Sequence, residues 1–367
     1  MHLGRLWLTD FRNYAEADVP LAPGLTAVVG GNGEGKSNLL EAVGFLASLS
    51  SFRGAPVEAL VRVGAERAVV RAEAERADRR LLIEAELAGR GTGADRRGVR
   101  TRVQVNRQRL GRARDLLGAL RVTVFSPDDL TLVKGGPAER RRFLDDTLVA
   151  LAARYDAVRA DVERVLRQRN ALLRQAGGRL SDGVAATLDV WDAKLVEHGE
   201  ALARGRAGLV ARLEPELGKA YDQVASTSAD VQVAYDAPWM AEGLAPALAA
   251  ARTEEVRRGV SLVGPHRDEL VVRLGGLPAR THASQGEQRS LALALRLAAH
   301  AVVTDAVGTP PVLLLDDVFS ELDPDRSAAL LAHLPAGQAV LTTAGPLPAD
   351  AHPELVLRVA GGRVAAA

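Results

Sequence analysis

A glycine-rich segment near the N-terminus has the residue types and spacing of a phosphate-binding loop. Residues 30–37 match the pattern of a glycine, any four residues, a glycine, a lysine and then serine or threonine. Glycines let successive backbone N–H groups turn towards a polyphosphate, where a Cβ would clash. The lysine reaches the β- and γ-phosphates, and the serine hydroxyl can ligate a hydrated Mg²⁺. We therefore expect a nucleoside triphosphate to contact Gly30, Gly31, Asn32, Gly33, Glu34, Gly35, Lys36 and Ser37.

The neighbouring residues support this interpretation of the loop. Residues 25–29 predict a buried strand, and residues 38–46 predict a helix whose positive N-terminus faces the phosphates. The alternative is a glycine-rich turn that fits the pattern by chance. Against it, the chain has only four lysines among its 47 basic residues, so a lysine would rarely occupy the required position by chance.

A second segment supplies two carboxylates. Residues 311–315 form a continuous apolar run that ends in Asp316 and Asp317. Strand ends of an open α/β sheet point into the ligand crevice. We predict that Asp316 and Ser37 hold Mg²⁺ and that the catalytic residues are Asp317 and Lys36. Asp317 polarises the attacking water, and Lys36 contacts the β- and γ-phosphates. The alternative interpretation makes Asp317 a helix or turn cap.

A third segment resembles the signature of the ABC-type ATPases. Residues 284–288 (Ser-Gln-Gly-Glu-Gln) begin an apolar helix, and Ser284 and Glu287 have the spacing of a capping box. The resemblance implies that the signature of one subunit closes over the γ-phosphate held by the other. It also implies that residues 320–323 cross the dimer interface, so that ATP binding and dimerisation are linked. The nucleotide contacts expected here are Ser284, Gln285, Gly286 and Glu287.

Further stretches narrow the resemblance to the RecF family of bacterial recombination mediators. They are residues 11–14 (Phe-Arg-Asn-Tyr), 51–53 (Ser-Phe-Arg), 125–130 with 134–145, and 264–268 (Gly-Pro-His-Arg-Asp). The resemblance implies an ATP-dependent homodimer that binds double-stranded DNA and single-strand/double-strand junctions at gaps. It implies that the protein works with RecR and RecO to load RecA on single strands covered by SSB. It also implies a slow, DNA-stimulated ATPase that times release of the protein, with ATP and Mg²⁺ as cofactors.

The chain departs from the general ABC pattern at two positions. Thr342 and Thr343 stand where many of these ATPases have a histidine that senses the γ-phosphate, so that sensing would fall to a hydroxyl or to nothing. Asp317 stands where many have a glutamate, and its shorter side chain could slow hydrolysis. The equivalent of the glutamine loop is unassigned, with residues 126–129 as the candidate.

The remaining sequence predicts an ATPase head with a helical insertion. Short runs between residues 68 and 105 predict an antiparallel sheet. Apolar residues at alternating spacings of four and three, from 144 to 172 and from 184 to 202, predict an antiparallel helical hairpin. The expected fold is α/β: an ABC-type head, with a P-loop core and an antiparallel β-subdomain, and an inserted α-helical lobe. The expected domains are 1–130 (head, N-terminal part), 131–260 (helical lobe) and 261–367 (head, C-terminal part).

Composition and charge distribution indicate where in the cell the protein is expected and which residues could bind DNA. The net charge is +1, cysteine is absent, and no signal-peptide profile or membrane-length apolar run is evident, so we expect a cytoplasmic protein without a membrane partner. Twelve arginines and four acidic residues lie within residues 76–114, and eleven bases and six acids within 134–179. We favour residues 96–114 as a DNA surface over an arginine face produced by biased composition.

Two other ATPase classes remain as alternatives to the RecF interpretation. A chromosome-structuring ATPase of the SMC type would carry a much longer coiled coil than this hairpin. The ATPase subunit of a transporter would have a membrane partner and a signature close to the phosphate loop, whereas here the two are separated by about 250 residues.

Overall fold

A computed structural model describes residues 1–76, 79–89, 99–225 and 228–367, and the chain forms two compact units. One unit contains Met1–Leu130, Lys219–Ser228 and Arg289–Ala367; the other contains Thr131–Gly218 and Ala229–Gln288. Residues 261–288, which the sequence placed with the C-terminal part of the head, lie in the second unit. The reason is strand pairing, because Glu269–Leu274 pairs along its whole length with Val231–Asp236.

The described residues form the following strands: β1 (His2–Phe11), β2 (Tyr14–Pro20), β3 (Leu25–Val29), β4 (Arg67–Arg76), β5 (Arg79–Gly89), β6 (Val99–Val105), β7 (Gln108–Arg109), β8 (Val122–Phe125), β9 (Val231–Asp236), β10 (Glu269–Leu274), β11 (Leu277–Pro278), β12 (Val312–Asp316), β13 (Ala339–Thr343), β14 (Leu355–Ala360) and β15 (Arg363–Ala366). The helices are α1 (Lys36–Ser48), α2 (Thr131–Lys134), α3 (Pro137–Leu151), α4 (Arg154–Gln175), α5 (Asp182–Ala225), α6 (Leu244–Arg258), α7 (Ala279–His282), α8 (Gln285–Val307) and α9 (Pro324–Ala332).

The first unit contains an antiparallel sheet with the strand order β2-β1-β4-β5-β6-β7. Its strands alternate in burial, as expected when one face of a sheet covers a core. Leu6, Val70 and Ile83 are buried on the inner face. The opposite face carries charged residues such as Arg71, whose register partner on β5 is Glu84. This sheet confirms the antiparallel pairing predicted between residues 68 and 105.

The same unit contains a mostly parallel sheet with the order β15-β14-β3-β13-β12-β8, in which only β15 runs antiparallel among the described strands. Every residue of β12 and β13 is buried, as expected for strands covered on both faces. Helix α1 contributes Leu39, Leu40 and Phe45 to a core shared with both sheets. The carboxyl ends of β3, β13 and β12 are therefore adjacent, and the register pairs Asp316 with Thr342.

The second unit contains the helical hairpin and a three-stranded sheet with the order β11-β10-β9. The first predicted helix is two helices, because Ala152 is extended (φ −151°, ψ 115°) and separates α3 from α4. No glycine or proline marks this break, so the apolar period could not show it. Leu173 of α4 and Leu188 of α5 share a small core with Val256 of α6.

Arg169, which interrupts the apolar row of α4, is completely buried and is held by ion pairs. Its Nε lies 2.6 Å from Asp192, its Nη2 lies 2.7 Å from Glu255, and its Nη1 donates to the hydroxyl of Ser261 at 2.9 Å. A buried guanidinium needs such partners, since an unpaired buried charge is strongly destabilising. The interruption is therefore the point where α4, α5 and α6 are joined.

Helix α8 is long and apolar enough to cross a membrane by length and composition alone, contrary to our expectation from the sequence. However, 67% of its most apolar window is buried inside the protein. Leu291, Leu295 and Ala298 are among its buried residues. Its apolar character is thus explained by packing in the core.

A candidate nucleotide site at the carboxyl ends of the parallel strands

The glycine-rich loop follows β3 and leads directly into α1, as the sequence predicts. Gly30 is the residue that allows β14 to approach, since a Cβ there would lie 2.3 Å from the carbonyl oxygen of Val359. Gly33 and Gly35 have φ values of 81° and 115°, which side chains of L-residues rarely tolerate. The loop conformation therefore depends on its glycines, and it delivers backbone N–H groups at the start of a helix.

Lys36 is the first residue of α1 and is buried, with 6% of its surface exposed. Its ammonium group donates a hydrogen bond of 2.8 Å to the carbonyl oxygen of Gly31. The lysine thus folds back over the loop, and its charge is held there by the Gly31 carbonyl oxygen.

The turn between β1 and β2 holds the loop from the other side. Asn13 donates from Nδ2 to the carbonyl oxygen of Glu34 at 2.9 Å, and the Tyr14 hydroxyl donates to the carbonyl oxygen of Gly35 at 3.0 Å. Burial raises the pKa of Tyr14, so its hydroxyl remains a donor. Asn13 also accepts from Asn38 at 2.8 Å. The sequence pointed to residues 11–14 only through family resemblance, and the structure gives them contacts to the loop.

Arg12 of the same turn is bound to a carboxylate inside the protein. Its guanidinium donates to both carboxylate oxygens of Glu41, each at 2.7 Å, and Glu41 is completely buried in α1. Ser51 also donates to Glu41, at 2.5 Å. Bidentate geometry and a third donor are what a buried carboxylate requires. This cluster fixes the orientation of α1 relative to β1.

Ser37, Asp316 and Thr342 meet at the carboxyl end of β12. The Asp316 carboxylate accepts a hydrogen bond of 2.8 Å from the Thr342 hydroxyl, and the Ser37 hydroxyl lies near it. Burial raises the pKa of Asp316, and the two nearby hydroxyl groups partly offset that rise. Hydroxyl and carboxylate oxygens are ligands that suit Mg²⁺. The two residues predicted to hold the metal therefore lie close together, with Thr342 as a third member that sequence reasoning had considered only as a γ-phosphate sensor.

Asp317 adopts a left-handed backbone conformation, with φ 50°. The alternative interpretation of this residue as a cap lacks support, because its side chain makes no capping hydrogen bond to the turn that follows. Its backbone N–H donates to Thr342 Oγ1 at 3.0 Å. Its Oδ1 is buried and has no hydrogen-bond partner. A strained backbone and an unsatisfied carboxylate oxygen at the end of a core strand are typical of a functional position.

The signature segment forms the predicted capping box. Ser284 N–H donates to Glu287 Oε2 at 2.7 Å, and Glu287 N–H donates to Ser284 Oγ at 3.3 Å. Ser284 and Gln285 are exposed at the start of α8, whereas the Gln288 side chain is buried and donates to the carbonyl oxygens of Ala279 and Arg280. The segment lies in the second unit and leaves a serine and helix N–H groups open to a ligand or a second protomer.

The turn proposed as the glutamine-loop equivalent is stabilised by its own carboxylate. Asp129 accepts from the Ser126 N–H at 2.9 Å and from the Arg296 guanidinium at 2.6 and 3.0 Å. The turn lines a small cavity together with Val318, the residue that follows Asp317. The Asp129 carboxylate is thus committed to holding the turn.

The two basic stretches differ in how many of their arginines form ion pairs. Within 134–179, Arg140 binds Glu269 at 2.7 Å, Arg159 binds Asp146 and Asp156, and Arg169 is buried. Within 76–114, Arg102 binds Glu86 at 3.2 Å, whereas among the described residues Arg79, Arg80, Arg107 and Arg109 are exposed and form no ion pair. Arg96 and Arg97, which belong to the favoured DNA surface, and the acidic residues Asp78 and Asp95 lie outside the described residues.

Comparison with known proteins agrees with this geometry. The family model of the RecF/RecN/SMC N-terminal domain matches residues 2–341. A protein of Streptomyces avermitilis named DNA replication and repair protein RecF is 48% identical over 94% of this chain and 93% of its own length. A protein of the same name from Beutenbergia cavernae is 45% identical over 94% of each chain.

Solved structures give the same result at the level of the whole chain. The recombination mediator RecF with ATP, described as part of the RecFOR pathway, is 27% identical and superposes with a TM-score of 0.89 over 100% of this chain and 97% of its own. An Smc head bound to the C-winged helix domain of ScpA shares only the fold, with a TM-score of 0.58 at 18% identity. The fold is that of an ABC-type ATPase head, and the chain belongs to the RecF family of DNA replication and repair proteins.

Proposed function

We propose that this chain is an ATP-dependent DNA-binding recombination mediator that hydrolyses ATP slowly. The observation that carries the proposal is the placement of Lys36 and Ser37 after β3, and of Asp316 and Asp317 at the end of β12, where both strands flank β13 in parallel, with Asp317 Oδ1 unsatisfied. The names of the relatives support the repair role, and the solved RecF structure with ATP supports the nucleotide. The SMC alternative shares the fold over the whole chain but only at 18% identity, and the separation of about 250 residues between the phosphate loop and the signature argues against a transporter subunit.

The loop residues bind the triphosphate in this proposal. Residues Gly30–Gly35 donate backbone N–H groups, and Lys36 exchanges its hydrogen bond to Gly31 for one to a phosphate oxygen. Asp317 Oδ1 accepts the proton of a water molecule whose oxygen attacks the γ-phosphorus, and ADP leaves. Aspartate reaches less far than glutamate, so that the water is held less closely and hydrolysis is slow.

Mg²⁺ fits the oxygen ligands at Ser37 and Asp316. The Ser37 hydroxyl lies near the Asp316 carboxylate and counteracts the rise in its pKa, and Thr342 orients the carboxylate from the neighbouring strand. When bound, the ion would neutralise phosphate charge during hydrolysis. The part of the chain that the structure describes holds no cluster of three or more acidic or histidine ligands, so the substrate and water would complete the coordination.

Dimerisation would bring a second copy of the signature to the nucleotide. Ser284, Gln285, Gly286 and Glu287 stand at the N-terminus of a 23-residue helix, where N–H groups and the helix dipole favour an anion. The exposure of Ser284 leaves its hydroxyl accessible to the γ-phosphate bound by a partner. ATP then bridges two protomers, and its hydrolysis releases them.

The proposed output is binding to double-stranded DNA and to single-strand/double-strand junctions at gaps. The proposal includes work with RecR and RecO in loading RecA onto SSB-covered strands in the cytoplasm, and membership of a family of DNA replication and repair proteins supports it. DNA stimulation of the ATPase is part of the same proposal, because a dimer held on DNA has its two nucleotide sites assembled.

Light-scattering mass tests the proposal. The protein is measured without nucleotide, with ADP and with ATP, beside Ser284→Arg, which puts a large cation where the γ-phosphate of a partner would approach. We expect ATP alone to double the mass, and Ser284→Arg to abolish the doubling while ATP still binds. A mass that does not respond to ATP, with or without a gapped duplex, would show that the signature does not act across a dimer.

A further inference from the structure

Four exposed arginines lie at one end of the antiparallel sheet of the first unit. Arg79 and Arg80 begin β5, and Arg107 and Arg109 belong to the hairpin that joins β6 and β7. We call these four residues the hairpin patch. Their proximity follows from the pairing of this hairpin with the start of β5.

The tip of the hairpin is fastened to β5 by two hydrogen bonds. The Asn106 N–H donates to the carbonyl oxygen of Leu82 at 2.8 Å, and Asn106 Oδ1 accepts from the Leu82 N–H at 2.8 Å. A strand rises ~3.3 Å per residue, so Arg80 begins roughly 7 Å along β5 from this contact. Side chains as long as arginine at both places can reach neighbouring phosphates of one polyanion.

Among the described residues, the hairpin patch differs from Arg71 and Arg102 of the same sheet in forming no ion pair with an acidic side chain. Arg71 donates to Glu84 at 2.7 Å and Arg102 to Glu86 at 3.2 Å, so the charge of each is neutralised within the sheet. In the described part of the chain, no ion pair involves a member of the patch. Glu75, the register partner of Arg80, lies 3.7 Å from His2 Nε2.

Arg107 occupies a backbone conformation that arginine does not favour. Asn106 and Arg107 have φ values of 51° and 66°, which is the two-residue hairpin turn that strongly prefers glycine at its second position. Glycine would fit there without steric cost, whereas an L-side chain is strained. A strained residue at a solvent-exposed tip indicates a function for its side chain rather than for its backbone.

We infer that the hairpin patch binds the sugar–phosphate backbone of double-stranded DNA. The inference rests on the proposed DNA-binding function and locates part of it. Unpaired guanidinium groups are suited to phosphate oxygens. The patch contains no aromatic side chain, so it lacks the stacking surface with which single strands are bound. Backbone contacts of this kind give affinity and orientation without reading sequence.

Two double variants that remove the same charge provide the test. Arg80→Gln/Arg107→Gln removes two members of the patch, and Arg71→Gln/Arg102→Gln removes two ion-paired arginines of the same sheet. Binding of each full-length protein to a fluorescent duplex is measured by anisotropy over a range of salt concentrations, with a slowly hydrolysed ATP analogue. We expect the patch variant to bind several-fold more weakly, and its slope of log affinity against log salt to fall by about two, since each phosphate contact contributes roughly 0.9.

The control variant should keep the wild-type slope, because its arginines are not in contact with DNA. If wild type binds duplex but both variants lose affinity equally, net charge explains the effect and the patch is not a contact. If the patch variant loses more affinity for a single-stranded oligonucleotide than for duplex, the assigned partner is wrong. If wild type itself binds no duplex, the DNA-binding function fails as a whole.

Arg107→Gly separates recognition from folding. Glycine relieves the strain of the turn, so thermal stability should stay equal or rise while duplex affinity falls. A variant that is as stable as wild type and binds duplex with unchanged affinity and salt slope would show that Arg107 has no contact with DNA.

Discussion

The Thr342 hydroxyl donates a hydrogen bond of 2.8 Å to Asp316 Oδ1 and thereby joins β13 to the carboxylate at the end of β12. The Thr342 Oγ1 also accepts from the Asp317 N–H at 3.0 Å. One hydroxyl therefore sets the position of both acids of the candidate site. Thr342 is fully buried and its single O–H donor is given to Asp316, so it is a positioning group with no donor left for the γ-phosphate.

Thr342→Val should lower the turnover of ATP while leaving ATP binding nearly intact. Valine has the same shape but leaves the Asp317 N–H without a partner and removes one hydrogen bond from Asp316, and an unsatisfied buried group costs on the order of 1–3 kcal/mol. Steady-state hydrolysis and equilibrium binding of ATP measure the two effects. Thr342→Ser restores the hydroxyl and should recover activity; equal turnover in the valine and serine variants would exclude the positioning role.

Asp317→Asn should stop hydrolysis and trap the ATP-bound dimer. An amide of the same size cannot accept a proton from water, and loss of a general base typically costs about 10²–10⁴-fold in rate. Single-turnover hydrolysis gives the rate, and light-scattering mass gives the lifetime of the dimer. Hydrolysis at the wild-type rate would remove Asp317 from the mechanism.

Arg12→Met should destabilise the first unit severely. It leaves Glu41 charged and completely buried without its bidentate partner, and breaking a buried pair in this way costs roughly 3–5 kcal/mol. Urea unfolding measures the loss. Adding Glu41→Leu should recover part of it, because no charge is then left unpaired.

Arg5→Met provides the matched control. Arg5 lies on β1, is exposed and forms an ion pair with Asp18 of β2, whereas Arg12 follows the last residue of β1. We expect this variant to unfold almost as wild type does. Equal losses in the two variants would mean that burial of Glu41 does not determine the stability.

His300 predicts a pH dependence of stability. Burial lowers the pKa of His300 to about 4, whereas an unfolded histidine has a pKa of about 6.5. Between these values the unfolded chain binds more protons than the folded one, so stability falls as pH falls from about 6.5 to about 4, by up to roughly 1.4 kcal/mol per pH unit for one such group. His300→Gln should flatten this dependence.

Chemical unfolding over this pH range measures the slope. Burial lowers the pKa of His266 to about 4 as well, so a slope from that residue remains in the variant. His352→Gln, a change at an exposed histidine, serves as the control and should leave the slope as in wild type. A slope unaffected by His300→Gln would show that this residue does not contribute.

The sequence could predict the features of the site that depend on local spacing. The loop at residues 30–37, the carboxylates at the end of β12 and the capping box of Ser284 and Glu287 each lie within one short segment. Thr342 could not be assigned its role in this way, because its contacts arise from the register of β12 with β13, 26 residues away. The contacts of Asn13 and Arg12 with the loop and α1 likewise cross between elements.

The prediction that the first helix of the hairpin is continuous was wrong for a related reason. The apolar period continues through Ala152 because both α3 and α4 bury the same kind of row, although the backbone is extended there. Periodicity reports which residues are buried and does not report whether one helix carries them. A break made by an alanine leaves no signal in residue type.

The position of β3 determines when the nucleotide site can be built during synthesis. Its neighbours in the parallel sheet are β13 and β14, which lie more than 300 residues later in the chain. The phosphate loop therefore leaves the ribosome without either strand that supports it, and Gly30 can meet Val359 only after more than 300 further residues have been made. A chain that terminates before β13 lacks both neighbours of β3, so the loop is left without the strands that hold it in place.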